Sequence, residues 1–206
     1  MKKIIILALA LAILSIGAAQ AQDDSYLGSW TDIQVSNNFT DHWYGSFRAE
    51  YRSKDNLQST DCWFLRPTLG YKFNSWLKFD VAYDYLQKPS SLNHRALFSL
   101  TGTLKQGGLS VSVRERYIYA YNQDAQSSSH VLRSQFKAQY QIPNSIFKPY
   151  LAVELFTWDR WEKTRHYAGT LINISNHHAL DLFYMYYTFD GKPAEHVIGV
   201  GYNITL

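Results

Sequence analysis

The groups with the greatest capacity for chemistry are arginines and carboxylates placed at alternate positions of otherwise apolar segments. They are Arg48, Arg52, Arg66, Arg95, Arg114, Arg116, Arg133 and Arg165, opposed by Glu50, Asp80, Asp84, Glu154 and Asp181. Guanidinium and carboxylate groups pair through charge-assisted, often bidentate hydrogen bonds. Arginines in excess of their acids attract anions instead. Arg52, Arg66, Arg95, Arg116, Arg133 and Arg165 fall toward the same end of their segments, where Glu50, Asp84 and Glu154 are the main acids. Positive charge is therefore expected to be left over at that end.

Other reactive side chains form weaker patterns. His94, His130, His166 and His196 recur with a hairpin rhythm, but their alternation turns them outward on separate strands, so no metal site is expected. His130 beside Ser127, Ser128 and Ser129 is the nearest approach to a nucleophile and base, and neither G-x-S-x-G nor H-E-x-x-H occurs. A hydrolase is thus the least favoured reading, with no catalytic residue and no cofactor expected. Cys62 is the single cysteine, which excludes an intramolecular disulfide.

The elements that must hold these groups are strands. Trp43, Gly45, Phe47, Ala49 and Tyr51 alternate with Tyr44, Ser46, Arg48, Glu50 and Arg52, giving one apolar and one polar face. The same alternation sets Leu77, Phe79, Val81, Tyr83 and Tyr85 against Lys78, Asp80 and Asp84, and recurs to the closing Ile198, Val200, Tyr202, Ile204 and Leu206. It is less clean over residues 164–174 and 179–188. Such segments run roughly 10 to 13 residues, near the length a tilted strand needs to cross a bilayer. Outward aromatics gather toward both strand ends: Trp43, Phe73, Trp76, Tyr140 and Tyr202 at one level, Tyr51, Trp63, Tyr85, Tyr119, Tyr121 and Tyr186 at the other.

The expected fold is therefore all-β, an antiparallel transmembrane β-barrel over residues 22–206. Ten strands run from His42 to Leu206, with residues 26–36 tucked inside the wall or added at its seam; twelve strands are the alternative. Short turns at one end are expected to alternate with longer polar loops at the other, including residues 53–61, 122–129 and 189–195. Glu115, on the apolar parity between Val113 and Tyr117, implies a bulge or an interfacial position. Lys2 and Lys3, an apolar run to about Ile16, and Ala19-Gln20-Ala21 give residues 1–21 the layout of a secretory signal. Because those lysines supply two of the charges behind a formal net charge of +3, the mature chain is nearly neutral and carries no nucleic-acid footprint.

With Phe47-Arg48-Ala49-Glu50-Tyr51-Arg52, Leu65-Arg66-Pro67-Thr68-Leu69-Gly70-Tyr71 and Gly199-Val200-Gly201-Tyr202-Asn203, the mature chain resembles a family of small outer-membrane barrels catalogued as a domain of unknown function. That resemblance implies a signal peptide and an outer-membrane location, and it lends no catalytic residues. The partners it points to are outer-membrane lipid and the barrel assembly machinery. Two readings of the inward charges follow: a structural or ligand-binding barrel whose lumen is locked by ion pairs, or a narrow pore for small anionic solutes.

Overall fold

The computed structural model describes residues 26–158 and 161–206; the expected signal peptide at residues 1–21 lies outside them. Eleven strands close into one barrel: β1 (Tyr26–Asn38), β2 (Trp43–Lys54), β3 (Ser59–Lys72), β4 (Leu77–Lys88), β5 (Ser91–Gln106), β6 (Leu109–Asn122), β7 (Ser127–Tyr140), β8 (Phe147–Thr157), β9 (Trp161–Asn173), β10 (His178–Phe189) and β11 (Lys192–Thr205). Sequential strands pair antiparallel, and β1 closes the circle by pairing parallel with β11 from Tyr26↔Glu195 to Ser36↔Thr205.

The count corrects the expectation of ten or twelve strands. Residues 26–36 are a full wall strand at the seam, because the segment has two usable faces. Ile33 and Val35 face out, while Trp30, Asp32 and Gln34 face in, opposite Arg52, Glu50 and Arg48 of β2. An odd number of alternating strands must leave its first and last members parallel, and parallel pairing is only slightly weaker than antiparallel.

The long polar loops are also absent among the described residues. Connections at the rim where β2, β4, β6 and β10 end are residues 55–58, 89–90, 123–126 and 190–191, as tight as those at the other rim. The polar tracts continue the ladder, with Lys54↔Ser59, Asn122↔Ser127 and Phe189↔Lys192 paired. Polarity does not end a strand whose backbone groups still find partners. Asp55, Asn56 and Leu57 turn the corner at positive φ, with Gln126 and Gly191 doing so in two other turns. Bulges near Arg52, Phe156 and Tyr187 gather at this same rim, which we call the mouth.

Outside, apolar side chains such as Phe47, Leu69, Phe98, Leu100, Phe136 and Ile198 stand exposed around the wall. A contiguous apolar surface of this kind is not left to water. Glu115 interrupts it at mid-strand. No bulge turns it away, since β6 keeps an unbroken register with both neighbours, and its Oε2 accepts a hydrogen bond from Ser134 Oγ at 2.7 Å. His94, His130 and His196 also face outward, each hydrogen-bonded through Nδ1 to a tyrosine hydroxyl, from Tyr83, Tyr117 and Tyr184 respectively.

Inside, the barrel is packed. From mid-barrel to the rim away from the mouth, the tips of aromatic rings lie over inward glycines on paired strands: Phe183 over Gly199 and Tyr44 over Gly70. A Cβ on Gly199 would come within 1.9 Å of the tip of the Phe183 ring, so a larger residue there would have to push that ring aside. This accounts for the mixed faces of β9 and β10, whose inward Tyr167, Phe183, Met185 and Tyr187 fill the lumen around Trp30 and Val197.

Candidate functional site: an arginine belt and a cationic vestibule

Alternation on six strands aims the eight arginines inward, and aromatic rings on the same parity seat most of them. Arg52, Arg66 and Arg95 lie over Phe64 at 5.3, 4.7 and 5.7 Å from the ring centroid. Arg133 and Arg165 lie over Phe156 at 5.1 and 4.6 Å. Trp30 joins the two groups, with Arg52 at 3.7 Å and Arg165 at 4.7 Å. A guanidinium stacked on a ring keeps its in-plane N–H groups free to donate sideways.

Those donors converge on few carboxylates. Asp84, fully buried, takes both ends of the Arg66 fork at 2.5 and 2.8 Å and also Arg95. Glu154, fully buried, holds Arg133, Arg114 at 3.2 Å and Arg165 at 3.6 Å, and accepts hydrogen bonds from Gln135 and Tyr167. Glu50 bridges Arg52 at 2.6 Å and Arg48 at 2.8 Å, and Arg48 reaches on to Asp32 at 2.8 Å. Arg116 sits deeper, donating to Ser99 at 2.8 Å with Asp80 at 3.9 Å.

This belt packs the lumen. Trp30, Glu50, Phe64, Asp84, Leu97, Ile118, Glu154, Arg165, Met185 and Val197 come from strands all around the wall, and each is buried. Above the belt, at the mouth, lies a vestibule of about 390 Å³. Its floor carries Arg52, Arg66, Arg95, Arg133 and Arg165, and its sides add Lys54, Lys88 and Lys163 against Asp61 and Glu195.

The residues singled out in the sequence thus divide by depth. Arg52, Arg66, Arg95, Arg133 and Arg165 reach the vestibule, as their strand-end positions implied, with Glu50, Asp84 and Glu154 beneath them. Arg116 does not; with Arg48, Arg114 and Asp80 it stands on the far side of the belt. Asp181 is separate, accepting a hydrogen bond from Tyr150 at 2.9 Å. Asp32, Trp30, Phe64 and Phe156 were not singled out, although each shares the inward parity of a neighbouring arginine or acid.

Residues 27–197 match the family described as "Protein of unknown function (DUF2490)". The chain belongs to the DUF2490 family. No curated protein matches this DUF2490 chain. Among solved structures, its barrel is similar to that of "NanC porin structure in rhombohedral crystal form", with a TM-score of 0.55 at 15% identity, over 82% of this chain and 88% of that one. At that identity the likeness speaks to the barrel fold of this DUF2490 chain.

Proposed function

We propose that this chain is an outer-membrane barrel, exported by a signal peptide at residues 1–21, whose lumen is closed by the arginine belt. In this reading the vestibule faces the cell exterior and binds small anionic solutes. It has no catalytic role. The apolar outer wall with aromatics toward both rims supports the membrane setting, and so does the porin fold of its neighbour. Short strand-end rings at headgroup level are what a bilayer selects.

The observation that carries the binding role is a mismatch of charge on the vestibule floor. Asp84 and Glu154 between them hold four arginines of the floor, Arg66, Arg95, Arg133 and Arg165, and Glu154 is shared with Arg114 from below. The surplus positive charge sits in an enclosure with low-dielectric walls, which focuses its field on the mouth. A second reading is a narrow anion pore. It draws on the fact that the closure is made of side chains, whose rotamers can change.

Reconstitution tests both. The mature protein should float with lipid vesicles, migrate in a heat-modifiable manner, bind small anions by calorimetry, and show no steady conductance in planar bilayers. Recovery as a soluble species removes the membrane reading. A stable anion-selective conductance replaces the closed barrel with the pore, and cation selectivity sinks both.

A further inference from the structure

We propose that the vestibule takes a small solute bearing two anionic groups, one held at Arg95 beside Asp84 and the other at Arg133 and Arg165 beside Glu154. This rests on the reading of the vestibule as an anion site and narrows it. The surplus charge is not pooled in one place. Arg66 already engages both oxygens of Asp84, so Arg95 is supernumerary there. At Glu154 one carboxylate faces Arg114, Arg133 and Arg165, which leaves a second unbalanced centre.

The two centres lie apart. Asp84 belongs to β4 and Glu154 to β8, four strands along an eleven-stranded wall. Strands about 4.8 Å apart and tilted roughly 40° give a wall radius on the order of 11 Å; guanidinium groups about 6 Å in from it then stand roughly 5 Å apart for Arg95 on β5 and Arg133 on β7, and roughly 9 Å apart for Arg95 and Arg165 on β9. Gaps of this size suit a short dicarboxylate or a sugar with two acid groups, and the vestibule volume sets the same upper bound on size.

Charge is presented on both sides. Arg95, Arg133 and Arg165 all line the vestibule, and the side chains of Arg95 and Arg133 keep part of their surface open to it. The rings of Phe64, 5.7 Å from Arg95, and Phe156, 5.1 and 4.6 Å from Arg133 and Arg165, help to hold these guanidinium groups in place before any solute arrives, so less ordering remains to be paid on binding. A single anionic group can neutralise only one centre. A solute with two neutralises both, and in a weakly screened enclosure the second contact adds to the first.

The experiment is calorimetry on the full mature protein in detergent, at constant ionic strength, with propionate and butyrate set against succinate and glutarate. The dianions should bind at least tenfold tighter than the monoanions. Arg95→Gln should lower dianion affinity far more than monoanion affinity, and Arg95→Lys should restore much of the difference, with heat-modifiable migration confirming that each variant folds. Equal affinity for the two classes, or equal losses in Arg95→Gln, overturns the two-centre proposal while leaving an anion site. No binding of any of the four removes the anion site itself, and the proposal with it.

Discussion

Arg66 and Asp84 face each other where the ladder between β3 and β4 is interrupted. Register runs from Leu65↔Tyr85 to Thr68↔Ala82, and the intervening Arg66 and Pro67 make no paired contact with β4. Proline cannot donate to a neighbouring strand. The two-bonded fork from Arg66 to Asp84 spans the same stretch from the lumen side. A side-chain bridge thus ties two strands together where the backbone does not, and the carboxylate that makes it also anchors the vestibule floor.

Removing that carboxylate should cost far more than removing one of its arginines. Asp84→Asn strands Arg66 and Arg95 with uncompensated charge in a buried site, a change worth about 3 to 5 kcal/mol. Arg95→Gln leaves Asp84 fully engaged by Arg66 and relieves repulsion, so its effect should stay within about 1 kcal/mol. Urea unfolding of both variants in the same detergent checks the asymmetry; equal losses would show that Arg95 is structural.

The wall's two faces should respond oppositely to one added charge. Phe98 is an exposed outward residue near mid-strand, and Phe98→Arg should cost about 2 to 4 kcal/mol and impair insertion into vesicles. Ser112→Arg, inward and half-buried on β6, places the same group where water and lumen acids can reach it, and should insert almost normally. Comparable insertion yields for the two would contradict the assignment of outer and inner faces. Ser99 is not a suitable control, because it is fully buried under Arg116.

Glu115 is the converse case. Its carboxylate stands on the outer face with Ser134 as hydrogen-bond partner. Facing hydrocarbon, it should be a burden, and Glu115→Leu should raise stability in lipid by roughly 1 kcal/mol. A fall in the urea midpoint instead would mean that a polar partner, not lipid, covers this part of the wall.

Much of this was legible from alternation alone. Leu65, Leu69 and Tyr71 against Arg66 and Thr68 fix which face of β3 is which, because a period of two admits one inward set. The depth of Arg52, Arg95 and Arg133 follows from counting along each strand. Asp32 was hidden for a topological reason: its segment reads as an eleventh strand, and nothing local shows that a parallel partner waits for it on β11. Phe64 and Phe156 were hidden because inward aromatics look like exceptions to a polar lumen, although each falls on the parity of a charged neighbour. The polar tracts around Asp55 and Asp124 read as loops because composition reports contact with water and not whether the backbone remains paired.

The seam has a kinetic meaning as well as a geometric one. Every other strand pair is a hairpin whose partners are near in sequence, so those pairings cost little chain entropy to form. The join between β1 and β11 brings together residues such as Ser36 and Thr205, 169 positions apart. A contact of that separation rewards the chain only after the intervening sheet exists. The circle therefore closes last. Until it does, the free edges of β1 and β11 both remain open, and Trp30, already beside Arg52 of β2, lacks Arg165, Met185 and Val197.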